Sequence, residues 1–207
     1  MQPQKTSALR AAFPLTLPVM AGYLVLGMGF GILLQSKGYH FGWAILMSLT
    51  IYAGSMQYVA VDLLSGGATL LATALMTLMV NARHLFYGIS MLDKYRTLGR
   101  RRWIMIFELT DEPYSIVCSH EPPAGVDRGR FFLAISILDQ SYWIVGCTLG
   151  AILGAVVPID FTGVDFAMTA LFVVIALDQW RSYRKHLPAV LGAGVTVLFL
   201  MVRGHFF

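Results

Sequence analysis

Six ionisable side chains lie inside stretches of the sequence that are otherwise apolar. They are Arg83, His84, Glu108, Asp111, Glu112 and Asp139. A charge at the centre of a bilayer costs roughly 2.5–3.5 kcal/mol on the insertion scale. Six unpaired charges would cost about as much as the whole net stability of a typical fold, about 5–15 kcal/mol. We therefore expect these groups to face one another or a water-filled cavity, as residues of a transport pathway do.

Acidic residues are the candidates for proton coupling. Glu108, Asp111 and Glu112 are spaced i, i+3 and i+4, so one continuous helix would place all three carboxylates on one side. Three partly desolvated neighbours cannot all be ionised cheaply, so at least one should exchange a proton near neutral pH. Asp139, in another apolar stretch, is a fourth candidate.

Pro113 predicts that the helix around these acids is broken. A proline lacks the backbone N–H, and its ring would clash with the carbonyl of Leu109. Asp111 and Glu112 also suit the first turn of a new helix that begins near Pro113. The alternative is a solvated helix start at the membrane surface, with no role in transport.

Polar residues in two other apolar segments are the candidates for substrate binding: Ser55, Gln57, Asn81, Arg83 and His84. The stretch Ala53-Gly-Ser-Met-Gln57 is typical of an unwound helix that contacts a substrate, although it also suits close helix packing. Arg83 could bind a carboxylate while an acid binds an ammonium group, and apolar walls could hold an aliphatic tail. This pattern suits an amino acid. A purely structural ion pair between Arg83 and an acid, with Asp139 as one possible partner, stays open.

The composition is that of an all-α polytopic membrane protein. Of 207 residues, 57% are hydrophobic and 13% are charged, against about 25% charged in soluble domains. Residues 1–207 are expected to form a single transmembrane transporter domain. The net charge of +4 comes without an aromatic–basic surface, so nucleic acid is not an expected partner. Cys118 and Cys147 have no metal-binding spacing, and neither a metal nor a cofactor is expected.

Seven hydrophobic segments could cross the membrane. They are residues 12–34, 41–63, 67–92, 103–118, 131–157, 164–178 and 187–202. Seven crossings divide the loop lysines and arginines equally between the two faces. If the broken fourth segment is re-entrant, the division becomes eleven against three, with the N-terminus outside. Segments 1–3 and 5–7 would then form a 3+3 inverted repeat, and Gly27 and Gly31 match Gly146 and Gly150 at an offset of 119.

At these same residues the chain resembles the AzlC family, the larger subunits of bacterial branched-chain amino acid exporters. The resemblance lies in Tyr52-Ala-Gly-Ser-Met-Gln-Tyr58, Asn81-Ala-Arg-His-Leu-Phe-Tyr-Gly88, Leu109-Thr-Asp-Glu112 and Gly27-Met-Gly-Phe-Gly31. It implies proton-driven export of valine, leucine, isoleucine and sometimes methionine across the bacterial inner (plasma) membrane. It also implies a small AzlD-like membrane subunit as a partner.

Two other functions stay open at this point. The chain could be a non-transporting scaffold subunit whose buried charges are structural pairs. It could also be an intramembrane serine protease with Ser55 as nucleophile and His84 as base, although Arg83 beside His84 would weaken such a base.

Overall fold

The computed structural model describes residues 7–157 and 186–204, together with residues 166, 173, 177, 180 and 181. The helices are α1 (Ala8–Ser36), α2 (Phe41–Thr50), α3 (Gly54–Ser65), α4 (Leu70–Tyr95), α5 (Arg101–Phe107), α6 (Asp111–Ser119), α7 (Arg128–Val156) and α8 (Leu187–Gly204). In these residues there is no β-strand, as the composition predicts. Residues 1–164 and 165–207 form two compact units, and each is described by itself.

α1 and α7 are the helices that are long and apolar enough to cross a membrane by length and composition alone. Each has 29 residues, which at about 1.5 Å per residue exceeds the thickness of the hydrocarbon core of about 30 Å. A side chain caps the N-terminus of each: Ser7 accepts a hydrogen bond from the Arg10 N–H, and Asp127 accepts one from the Arg130 N–H.

The two long helices pack in parallel along a seam of glycines. A Cβ atom added to Gly27 would lie 2.9 Å from the backbone nitrogen of Cys147, and one added to Gly146 would lie 2.7 Å from the carbonyl oxygen of Tyr23. One helical turn further on, Gly31 meets the backbone next to Gly150. Residue numbers therefore rise together along both helices. The backbones touch because no side chain separates them.

The segment at 41–63 is a helical hairpin, which we call hairpin 1 (α2 and α3). Its tip is the break at residues 51–53. The ring of Tyr58, four residues into α3, lies 5.7 Å from that of Phe30, and its hydroxyl donates to the carbonyl of Leu26 at 2.7 Å. Trp43 in α2 and Leu64 in α3 line one groove. Both contacts require α3 to run back toward the face from which α2 entered.

The segment at 103–118 is a second helical hairpin, hairpin 2 (α5 and α6), whose tip is the break at residues 108–110. At its base Arg101 forms an ion pair with Asp127. After the tip, Tyr114 stacks on Tyr87 of α4 at 4.3 Å. Further along, Lys94 hydrogen-bonds the carbonyl of Val117. α6 thus returns to the face from which α5 entered, and the predicted break of the fourth segment is confirmed.

α4 connects the two hairpins and runs opposite to α1 and α7. It begins beside the base of hairpin 1, where Leu70 and Thr73 line the same groove as Trp43. It ends beside the base of hairpin 2, where Lys94 pairs with Glu121. The hairpins therefore enter from opposite faces of the unit formed by residues 1–164.

This arrangement corrects the topology expected from the sequence. The second segment returns instead of crossing, so α1 and α7 begin on the same face. Among residues 7–157, leaving out Arg83, that face carries eight of the nine lysines and arginines, and Lys37 lies on the other. We call it the basic face. By the positive-inside rule we expect this face to be cytoplasmic, with the N-terminus inside rather than outside.

The 3+3 inverted repeat drawn from segments 1–3 and 5–7 was also wrong. It would set α1 and α7 antiparallel, whereas the glycine seam sets them parallel. Instead, α1 with hairpin 1 and α4 with hairpin 2 run in opposite directions. Each of these two pairs is a long helix followed by a hairpin that returns from the face where the long helix ends.

In the second unit, α8 covers the predicted seventh segment, and two of its apolar side chains, Leu191 and Leu198, are exposed. Trp180 stacks on His186 at 4.0 Å. The predicted sixth segment, 164–178, lies almost wholly outside the described residues.

Candidate functional site

The two hairpin tips meet among α1, α4 and α7, and the candidate site is built around this meeting point. Each tip has a first helix that ends there and a second helix that begins there. The ends of α2 and α5 therefore present carbonyl groups with partial negative charge, and the starts of α3 and α6 present N–H groups with partial positive charge. Such a site favours a ligand that carries both charges.

Arg83 lies between the two hairpins. One guanidinium nitrogen donates to the Ser55 hydroxyl at 2.6 Å, and the other forms an ion pair with Asp111 at 3.0 Å. The side chains of Arg83 and Asp111 are 27% and 33% exposed, so solvent or a ligand can reach the pair. Three of the predicted residues are thus brought together. The partner of Arg83 is Asp111 rather than Asp139.

Besides the charged Arg83, Asp111 has a neutral hydrogen-bond donor that holds its carboxylate in place. The Tyr87 hydroxyl donates to it at 2.6 Å, and the Tyr87 ring stacks on Tyr114 at 4.3 Å. His84 packs its ring 5.8 Å from that of Tyr87. His84 therefore lies next to the site, on the ring side of Tyr87.

Glu112 faces a different neighbour, although it follows Asp111 directly. The Tyr23 hydroxyl donates to Glu112 at 2.6 Å and lies 2.8 Å from the hydroxyl of Thr110. This contact attaches hairpin 2 to the middle of α1. The helix start expected at Pro113 is confirmed, since α6 begins at Asp111 with both acids in its first turn.

The three carboxylates do not share one side, which corrects the prediction made from their spacing. The break at 108–110 separates Glu108 from α6, so Glu108 caps the C-terminus of α5 instead. Glu108 is buried, and one of its carboxylate oxygens lacks a hydrogen-bond partner among the described residues.

The tip of hairpin 1 contains a strained residue and a buried amide. Tyr52 has φ = 40°, a left-handed backbone conformation that costs a non-glycine residue about 1–2 kcal/mol. Strained residues of this kind are often found at functional sites. Gln57 is fully buried, and its carbonyl accepts a hydrogen bond from the Trp143 indole at 2.7 Å. Gln57 therefore attaches the tip to α7 and does not contact Arg83.

Asp139 lies in α7 and is completely buried, and both carboxylate oxygens lack a hydrogen-bond partner within the described part of the chain. Other buried polar atoms without a partner include the Tyr52 hydroxyl, the Gln57 amide nitrogen and the Ser136 hydroxyl. Ser136 precedes Asp139 by one helical turn, and Trp143, which holds Gln57, follows it by one turn. Buried polar atoms without partners thus lie together where the hairpin tips pack on α7.

An apolar groove leads from the tip of hairpin 1 toward the face opposite the basic face. Its volume is about 450 Å³, and α2, α3 and α4 line it. Ile51 and Met56 form the end nearest the tip, and Met56 is the residue after Ser55. Trp43 and Leu70 form the outer end. A side chain in this groove would lie next to the polar groups around Arg83.

Asn81 was predicted to share a site face with His84. Its carbonyl oxygen is buried without a partner in the described residues, and α4 runs through this position without interruption. No group of three or more histidine, cysteine, aspartate or glutamate residues that could hold a metal ion occurs among the residues described.

Sequence reasoning missed the tyrosines and the tryptophan of the site. Tyr23, Tyr52, Tyr87 and Trp143 lie in the middle of apolar segments, whereas aromatic residues with a polar group are commonest at membrane interfaces. A hydroxyl at this depth needs a partner. That depth is a signal that could have identified them.

The sequence matches the family model described as AzlC protein over residues 18–157. This range includes the glycine seam, both hairpins, Arg83 and its partners Ser55 and Asp111. No solved structure matches the chain.

Three relatives have names that refer to transport or to a membrane. The branched-chain amino acid transport protein AzlC of Bacillus subtilis is 45% identical over 198 residues, which is 96% of this chain and 78% of that protein. An uncharacterized membrane protein of Haemophilus influenzae is 38% identical over 96% of this chain and 82% of its own length. The inner membrane protein YgaZ of Escherichia coli is 26% identical over 88% of this chain and 77% of its own length.

Proposed function

The chain belongs to the AzlC family, and from that premise we propose that it is a secondary active exporter of branched-chain amino acids, and of methionine. Membrane proteins among its relatives, one of them named for the inner membrane, agree with its location in the bacterial inner (plasma) membrane. The name of the Bacillus subtilis relative, a branched-chain amino acid transport protein, supports a transport role. Export, proton drive and a small AzlD-like membrane subunit as partner are our further proposals.

The observation that carries the proposal is the half-buried ion pair between Arg83 and Asp111 at the meeting point of the hairpins. A zwitterionic amino acid can insert into such a pair without changing its net charge. The substrate carboxylate would take the place of Asp111 on Arg83, and the substrate ammonium would bind the Asp111 carboxylate. Both new contacts are charge-assisted hydrogen bonds, which are among the stronger polar contacts.

The start of α3 favours the same orientation. Ser55 is the second residue of this 12-residue helix, whose N-terminus points toward Arg83. The helix N-terminus carries a partial positive charge and stabilises a bound carboxylate. Arg83, the Ser55 hydroxyl and the helix start together form an anion site.

The apolar groove favours an aliphatic side chain over a polar one. Next to Ser55, the groove begins with Ile51 and Met56 and continues between α2 and α4. A side chain of the valine, leucine or methionine type would exchange lipid or water for these apolar walls. Sugars and inorganic ions have no apolar part to place there.

Hairpins that enter from opposite faces suit alternating access. Movement of hairpin 1 would open the Arg83 site to the face opposite the basic one, and movement of hairpin 2 would open it to the cytoplasm. Broken helices whose tips meet at mid-membrane are a common way to build such a site.

The serine protease alternative is disfavoured by the partner of Ser55. Its hydroxyl accepts a hydrogen bond from Arg83, and a guanidinium cannot remove a proton at physiological pH. The ring of His84 packs near that of Tyr87. Ser55 thus lacks the activated arrangement that a nucleophile needs.

The test is valine uptake into inside-out vesicles that contain this chain with its small partner subunit. Arg83→Ala and Asp111→Asn should each abolish the uptake that follows energisation, because each removes one half of the zwitterion site. Arg96→Ala, at the exposed C-terminal end of α4, is the matched control and should transport normally. Normal uptake by both site variants would refute the proposed pocket.

A further inference from the structure

Asp139 differs from the other acids of the site in having no polar contact that would stabilise its charge. Asp111 has Arg83 and Tyr87, and Glu112 has the Tyr23 hydroxyl. Asp139 is 0% exposed, and neither of its carboxylate oxygens has an ion-pair or hydrogen-bond partner in the described residues. This acid therefore stands apart by geometry.

An ionised carboxylate in that position would be costly. Burying an isolated charge without a partner costs several kcal/mol or more, and a buried carboxyl group avoids the cost by binding a proton. The charged or titratable groups that face Asp139 are Tyr52 from the tip of hairpin 1, Glu108 from the tip of hairpin 2 and Glu112 from α6. None of them is a cation. The surroundings of Asp139 in this conformation therefore offer no positive charge to balance an ionised carboxylate.

The same region also has buried donors that would suit the ionised form. The Gln57 amide nitrogen and the Ser136 hydroxyl have no partner in the described part of the chain, and the Tyr52 hydroxyl lies near those of Thr110 and Tyr23 without a well-formed hydrogen bond to either. Each could donate to a carboxylate, and two of them belong to the same short stretch of hairpin 1. Such a site can exist in two states: one with a neutral, unbonded carboxyl group, and one with an ionised carboxylate that accepts hydrogen bonds from these donors.

We propose that Asp139 carries the coupled proton, and that its ionisation draws the Tyr52 and Gln57 side chains of hairpin 1 onto its carboxylate. In this step the O–H bond of the carboxyl group breaks and the proton passes to water on the cytoplasmic side. Ser55 lies between Tyr52 and Gln57 in the sequence and is bonded to Arg83. Movement of residues 52–57 would therefore shift Ser55 and change its hydrogen bond to Arg83. The inference rests on the proposed amino acid transport.

Asp139→Asn tests the assignment in vesicles that contain the chain and its partner subunit. Asparagine has nearly the same shape and imitates the protonated acid. The variant should keep the exchange of labelled for unlabelled valine in the absence of a gradient. It should lose proton-driven accumulation by about tenfold or more, and the pH dependence of exchange should disappear. Asp139→Glu should restore accumulation.

Two results would overturn the inference and leave the proposed function intact. One is proton-driven accumulation by Asp139→Asn at the level of the unmodified protein. The other is loss of valine exchange in both Asp139→Asn and Asp139→Glu, because Asp139 would then serve binding or folding. Absence of valine exchange by the unmodified protein would instead refute the proposed function.

Tyr52→Phe tests the donors without changing any charge. Without this hydroxyl the ionised carboxylate is less stable, so the pH of half-maximal accumulation should rise, by about one unit. Tyr95→Phe is the matched control, because its hydroxyl is also buried and unpaired in the described residues but faces Glu108. Equal shifts in the two variants, or none in Tyr52→Phe, would overturn the proposal.

Discussion

The two hairpins have the same shape but are held in different ways. Between residues 41 and 65, hairpin 1 has one charged residue, Asp62, whereas hairpin 2 has five between residues 101 and 119. Neutral hydrogen bonds from Gln57 and Tyr58 attach hairpin 1 to α7 and α1. Ion pairs attach the base of hairpin 2.

Those ion pairs lie just outside the apolar core on the basic face. Arg101 pairs with Asp127 at 3.3 Å, and Glu121 pairs with Lys94 at 3.0 Å and with Arg128 at 3.3 Å. Lys94 and Arg128 also lie over the ring of Phe132, at 4.9 and 5.6 Å. Hairpin 2 is thus fastened at both ends. Under the proposed transport function, we expect hairpin 1 to move more easily than hairpin 2.

The largest expected effect concerns the faces from which the hairpins enter. Single cysteines in a background without Cys118 and Cys147 should give an all-or-none result with an impermeant maleimide. Arg96→Cys and Ala124→Cys, on the two sides of hairpin 2, should be labelled from the cytoplasm. Ala68→Cys, after hairpin 1, should be labelled from outside. Labelling of positions 96 and 124 from opposite faces would exclude a re-entrant hairpin 2.

Exchange of Arg83 and Asp111 tests whether their ion pair only links α4 to α6 or also binds the substrate. Each single variant, Arg83→Asp or Asp111→Arg, should lower the melting temperature and abolish valine uptake, because it leaves two like charges together in a partly buried site. The double variant should recover the melting temperature but not transport. Recovery of transport as well would favour the scaffold alternative.

Stability should show that the tip of hairpin 1 depends on fewer contacts than that of hairpin 2. Gln57→Leu leaves the buried Trp143 indole N–H without an acceptor, and should destabilise the protein by about 1–3 kcal/mol. Thr110→Val should cost less, about 0.5–1.5 kcal/mol, because Tyr23 keeps its bond to Glu112. Melting temperatures in detergent would measure both. A larger effect of Thr110→Val would reverse the comparison.

The smallest effect is expected at the base of hairpin 2. The hydrogen bond from Lys94 lowers the pKa of Glu121, which is highly exposed. A lowered pKa means stability that is present above the unfolded-state pKa of about 4.3 and lost as the pH falls through the folded-state value. Glu121→Gln should thus cost less than about 1 kcal/mol near pH 7 and nothing near pH 3. The difference in melting temperature between the unmodified protein and Glu121→Gln, measured as a function of pH, checks this. A difference that increases as the pH falls would contradict the prediction.

The sequence predicts the long helices and the second tip well. α1 and α7 follow from continuous apolar runs, and the break at 108–110 follows from the polar residues that precede Pro113. The stretch 53–57 also marked a disturbance, although the break itself lies at 51–53, just before it.

The return of hairpin 1 could not be predicted, because an apolar run of about 20 residues fits a crossing as well as a hairpin. The direction of α3 depends on contacts between distant residues, such as those of Tyr58 with Leu26 and Phe30. The partner of Arg83 has the same origin, since spacing along the chain could not choose between Asp111 and Asp139. Reading Glu108, Asp111 and Glu112 as one face failed because that argument assumes an unbroken helix.

The glycine seam limits how this protein can change shape. In lipid, the hydrophobic effect does not favour the association of two apolar helices. The packing of α1 on α7 therefore depends on van der Waals contact between closely fitting surfaces. A slide of even one residue would push the backbone of Met28 away from Gly150 and against a bulkier neighbour. Under the proposed function, we therefore expect α1 and α7 to stay fixed to each other during transport. Gly150→Ala, whose methyl group would collide with the backbone of Met28, should reduce transport without contacting the substrate.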